Sequence, residues 1–180
     1  GLMARYKYLW QSIFALMLSF CLYHHFSHSA NGAHIFIPFM HSVPIGFGIF
    51  ILQYFVLTGT SNAVNLTDGL DGLAIISVIC IASGLGLLSL MEVKIFPIGH
   101  LPYIPEARDI ATLSAAIVGA GLGFLWFNSF PALVFMGDVG ALGIGGMLGF
   151  MAICLQMELV LVIMAGVFVL ETVSVILQVS

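Results

Sequence analysis

Six stretches of this chain, at roughly 8–25, 43–60, 73–91, 109–127, 139–156 and 159–179, are close to the length that crosses a bilayer and carry almost no charge. A spanning α-helix takes ~20 predominantly apolar residues, with ~17–25 observed. Runs this long exclude buried strands, and the strands of a membrane barrel would alternate polar and apolar residues, which these do not. The rest of the composition agrees. Of 180 residues, 61% are hydrophobic and 7% charged, where an average soluble domain carries ~25% charged. So little polar surface would not cover a soluble protein of this size, so lipid must be its solvent. The expected fold is all-α, a polytopic transmembrane helix bundle of about six spanning helices, forming a single membrane domain over 1–180.

The same composition excludes other classes. The net charge is -4 and no basic stripe exists that would neutralise phosphates along a duplex, so nucleic acid is not an expected partner. Cys21, Cys80 and Cys154 all fall inside apolar runs without metal spacing and read as small hydrophobes. Gly119 with Gly123, and Gly145 with Gly149, form small-xxx-small pairs that would let helix backbones approach closely.

Counting crossings places the connections. Segments 61–72 and 128–138 are two crossings apart and share one face, together with Arg5 and Lys7; the other connections lie on the opposite face. Orientation by the positive-inside rule is a tie, with Arg5 and Lys7 on one face and Lys94 and Arg108 on the other.

The most informative stretch is NAVNLTDGLDGLA at 62–74, which spaces Asn62, Asn65, Asp68 and Asp71 three residues apart. On a helical turn such residues follow one side, drifting by ~60° per step. An Asp at the centre of a spanning helix costs ~2.5–3.5 kcal/mol on insertion scales. Two of them at a membrane face, with Gly69 and Gly72 opening the backbone, point to a hydrated polar site; turn formation and helix capping are the plain alternative. The second stretch is FLWFNSFPALVFMGD at 124–138, where Asn128 ends one helix and Asp138 opens the next. Asp138 alone would serve as a helix cap. The shared face makes it more: three carboxylates and three amides converge on one side of a bundle nearly devoid of charge. Hard oxygen donors of this kind suit Mg²⁺, which binds through one or two carboxylates plus substrate phosphates. Neither segment contains a basic residue to hold a phosphate, so a metal is expected to do so.

Both stretches resemble signature segments of the phospho-N-acetylmuramoyl-pentapeptide transferases, a branch of the polyprenyl-phosphate N-acetylhexosamine-1-phosphate transferases, and the resemblance extends through FVLETVSVILQV. It implies a ten-helix enzyme of the bacterial inner membrane with its active face cytoplasmic and a requirement for Mg²⁺. Its substrates would be UDP-MurNAc-pentapeptide and undecaprenyl phosphate, and its products lipid I and UMP. Position by position, the resemblance makes Asp138 a metal ligand and puts Asp68 and Asn65 in the catalytic and metal region. It puts Gly69, Leu70, Asp71, Asn128 and Phe135 around the uridine, with Phe135 near the base. The family's upstream aspartate pair and downstream His-rich motif are not among these residues, so the chain is expected to be an internal portion, inactive alone. The sister GlcNAc-1-phosphate transferases are the nearest alternative, and a transporter is the alternative of another class. Oligomeric state is left open, a homodimer included.

Weaker features remain. His24, His25, His28, His34 and His41 have a spacing that would suit an imidazole metal site, but they sit on the face opposite the aspartates and are read mainly as a headgroup-facing loop. Glu171 lies within the last apolar stretch and is read as structural support. Tyr6, Tyr8, Trp10 and Tyr103 fit interfacial anchors.

Overall fold

A computed structural model of the chain describes residues 4–28, 34–37, 43–91 and 107–179. Helix α1 (Ala4–Ser27) leads through two two-residue strands, β1 (His34–Ile35) and β2 (Val43–Pro44), paired antiparallel. There follow α2 (Gly48–Thr67), α3 (Leu73–Leu90), α4 (Ala107–Asn128), α5 (Gly137–Cys154), α6 (Glu158–Met164) and α7 (Gly166–Val179). The all-α bundle stands, with one minimal strand pair.

Four of the described helices, α2 to α5, are long and apolar enough to cross a membrane, against six expected. Helix α1 has the length, but Arg5, Lys7, Gln11, Ser12 and His24 dilute its apolar character. The last stretch, expected as one helix over 159–179, is interrupted at Ala165, just before Gly166. The most consequential shift concerns α2. It starts at Gly48 instead of 43 and runs on to Thr67, so Asn62 and Asn65 are helical residues and not loop residues. Outside the described residues lie His41, Tyr103 and the Pro-rich segment up to residue 106.

Helix α3 packs most extensively on α4, and α2 on α5, while α3 also touches α5 and joins the two pairs. Val78, Ala82 and Leu85 of α3 and Leu148, Met151 and Ala152 of α5 belong to one buried apolar core. Helices α1 and α7 flank α2. At the end of α1, His28 Nδ1 lies 2.8 Å from the His24 carbonyl oxygen, and the two rings lie tilted by 31° with centroids 4.4 Å apart. Among the described residues no three His, Cys, Asp or Glu side chains gather as a metal site.

The two glycine pairs part company. A Cβ on Gly145 would lie 2.6 Å from the Thr60 carbonyl oxygen and 2.8 Å from Ser61 Cα, so α5 touches the α2 backbone there. One helical turn on, Gly149 sits equally close to Thr60 Oγ1. The Ser61 hydroxyl donates to the Leu142 carbonyl across the same seam (2.9 Å). Gly119 and Gly123, in contrast, face open space, and it is Gly121 that meets Ile75 and Ile79 of α3. Two residues along a helix is a rotation of ~200°, which turns the expected pair away from the interface. Gly145→Ala should therefore lower the melting temperature in detergent by several degrees, because backbone cannot yield as a side chain can, an overpacking cost of ~1–3 kcal/mol. Gly119→Ala should melt no lower than the parent, since alanine favours the helix by ~1 kcal/mol.

Candidate active site

The close approach of α2 to α5 sets Asn65, on the last turn of α2, against Asp138, on the first turn of α5. Asn65 Nδ2 donates to Asp138 Oδ1 at 3.0 Å. Helix α2 then stops. The Asp68 N–H still reaches the Val64 carbonyl, but Asp68 has left helical geometry, and the chain turns through Gly69 to Gly72. Gly72 has φ +75°, a conformation that favours glycine, and caps α3.

The second turn folds onto the first through three hydrogen bonds. The Gly137 N–H donates to Asp68 Oδ2 (3.2 Å), the Ala132 N–H to Asp71 Oδ2 (3.1 Å), and the Gly72 N–H to Asn128 Oδ1 (3.1 Å). Gly137 has φ +68°, which lets its N–H face Asp68 as α5 begins. Asn128 is 3% exposed and also donates from Nδ2 to the Val134 carbonyl (2.8 Å), so it clamps both turns from behind. The two polar segments thus meet at one end of the bundle, as the crossing count requires.

Not every expected residue joins. Asn62 turns toward α1, donating to Gln11 Oε1 (3.0 Å) and to the Thr58 carbonyl (2.8 Å). Leu70 and Phe135 project into solvent-accessible space beside the turns, and Gly69 lies exposed between Asp68 and Leu70. Beyond the expected set, Lys7 of α1 enters. Its Nζ donates to Asn65 Oδ1 at 2.7 Å and pairs with Asp138 Oδ2 at 3.3 Å. The two segments themselves supply no basic residue, but a helix 58 residues before Asn65 brings one to the site. The signal was the crossing count itself, which put Lys7 on this face.

Burial pushes the Asp68 carboxyl above its ordinary value; the Gly137 N–H draws it back, and the nearby Asp138 charge pushes it up again. Two carboxylates that repel one another, with an amide side chain bonded to one of them, attract a cation. Asp138 with Asp68 and the Asn65 side chain could hold a divalent ion that completes its shell with water or phosphate, and this donor set fits Mg²⁺ better than an all-protein cage. Asn128→Ala should test the clamp. It strips the partner from the buried Gly72 N–H, at a cost of about 1–3 kcal/mol, and from the less buried Val134 carbonyl, so a drop in melting temperature of several degrees is expected, and an unchanged melt would remove Asn128 from this role.

Against known families, residues 1–156 match the family model of Glycosyl transferase family 4. The match spans both polar turns and helices α1 to α5. The chain belongs to glycosyl transferase family 4, which covers polyprenyl-phosphate hexosamine-1-phosphate transferases, and is accordingly a multi-pass membrane sugar-phosphate transferase.

Proposed function

We propose that the protein transfers phospho-MurNAc-pentapeptide from its UDP-activated form to undecaprenyl phosphate, giving lipid I and UMP for peptidoglycan synthesis. The proposed setting is the bacterial inner membrane, with the active end cytoplasmic. The observation that carries this reading is the meeting of Asn65, Asp68 and Asp138 at one end of an apolar bundle. They stand on the two segments, NAVNLTDGLDGLA and FLWFNSFPALVFMGD, whose resemblance favours this branch over its sisters. A transporter reading fits less well, because it calls for polar residues near the bilayer midplane, and these stand at helix ends.

The chemistry asks for little covalent work from the protein. An oxygen of the lipid phosphate attacks the sugar-bearing phosphorus, the bond from that phosphorus to the bridging oxygen breaks, and UMP leaves with the electron pair. Asp138, with Asp68 and Asn65 beside it, would hold Mg²⁺, which when bound offsets charge on the diphosphate. Asp71 and Asn128 keep the two turns together through Ala132 and Gly72, so that Gly69, Leu70 and the exposed Phe135 ring are available to the uridine. The lipid has a path as well. A cavity of about 350 Å³ runs between α2 and the α6–α7 segment, lined by Phe55, Gly59, Ala63, Phe168 and Thr172. Its lining is almost wholly apolar, as a polyprenyl chain requires, and Ala63 brings it within two residues of Asn65.

Two assays of the full-length protein test the reading. With undecaprenyl phosphate present, UDP-MurNAc-pentapeptide should release UMP and UDP-GlcNAc should not; the reverse preference would assign the protein to the sister activity. Asp138→Asn should reduce UMP release about a hundredfold or more with the fold intact, the scale on which a charge-stabilising group matters. Near-parental turnover in that variant would take Asp138 out of the site.

A further inference from the structure

Lys7 engages two of the side chains proposed to hold the metal. Its ammonium lies 2.7 Å from Asn65 Oδ1 and 3.3 Å from Asp138 Oδ2, while Asn65 Nδ2 takes the other Asp138 oxygen at 3.0 Å. The three side chains close a ring in which Lys7 is the counter-ion and Asn65 contributes through both ends of its amide. An ion bonded to Asp138 at the ~2.1 Å usual for Mg²⁺ would come within a few ångströms of that ammonium. Like charges at such a distance repel strongly. The two therefore compete for Asp138.

One of them can move. The lysine charge rides on a flexible four-carbon stem, and Lys7 is on the first turn of α1 and only half-buried. Asp138, with 74% of its side chain exposed, is open to the incoming ion. We propose that Lys7 is a tethered counter-cation: it holds Asn65 and Asp138 together while no divalent ion is bound, and the ion displaces it from Asp138. The released ammonium is then free to pair with phosphate, the anion that arrives with the ion. This rests on the reading of Asp138 as a cation ligand, made above.

The sign of one measurement separates this role from a structural one. If Lys7 competes with the ion, Lys7→Gln removes the competitor and keeps an amide that can still bridge Asn65 and Asp138. Titration of the purified full-length protein with Mn²⁺, read by electron paramagnetic resonance of the free ion, should show about three- to tenfold tighter binding in Lys7→Gln than in the parent. Lys7→Met, which cannot bridge, should shift affinity in the same direction. If Lys7 only props Asn65 and Asp138 in place, both variants bind Mn²⁺ equally or more weakly, and the proposal fails while the metal reading survives. Asp138→Asn serves as the second arm: Mn²⁺ binding that persists in it, or is missing from the parent, overturns the reading of Asp138 and the proposal with it.

Discussion

Everything at the polar end of this molecule depends on how closely α2 and α5 approach. Two membrane helices gain little from apolar burial against one another, because lipid tails are as apolar as leucine, so contact must come from close packing. Gly145 and Gly149 let the α5 backbone touch Thr60 and Ser61, and the Ser61 hydroxyl spans the seam to Leu142. The helices run antiparallel. One turn beyond Ser61 on α2 is Asn65, and two turns before Gly145 on α5 is Asp138. The 3.0 Å bond between them follows from the glycine contact one turn away along α2 and two turns away along α5, at ~5.4 Å per turn. A side chain at Gly145 would spread the helices and open the site without touching it.

The polar turns are held by backbone donors aimed at carboxylates. Asp68 and Asp71 each accept an N–H from the opposite turn, and Asn128 ties Gly72 to Val134. This matters in a membrane protein, where irregular backbone is tolerated only if its hydrogen-bonding groups are satisfied or wet. Among the described residues these bonds use one oxygen of each aspartate. Asp68, pushed up by burial and by the neighbouring Asp138, and Asp138, paired with Lys7, form an uneven carboxylate pair that concentrates negative charge where a diphosphate and its cation would arrive.

How much of this was legible in the sequence varies with the physics behind each feature. The bundle was legible because hydrophobicity is additive along a chain, and α3, expected over 73–91, is found at Leu73–Leu90. The meeting of Asp68, Asp71 and Asp138 was legible because crossing parity needs no atomic detail. The end of α2 was not. Ser61, Asn62 and Asn65 read as loop residues by polarity, yet they stay helical because α1 and α5 offer them partners: Gln11 for Asn62, Leu142 for Ser61, Asp138 for Asn65. Gly119 and Gly123 failed in the other direction. Their spacing suits a helix contact, but spacing says nothing about which way a helix is turned, and α4 presents Gly121.

The sequence by itself determined the solvent of this protein, the helical class and the end of the bundle that carries the polar residues, since all three depend on composition and order along the chain. The tertiary structure alone decided which polar residues touch. Asn62 was drawn to Gln11 and away from the aspartates, Asn128 was committed to bracing the turns, and Lys7 was brought across 131 residues of sequence to Asp138. Each of these contacts depends on the rotation and separation of packed helices. Those are set by side-chain interlocking among α1, α2 and α5, which no single segment contains.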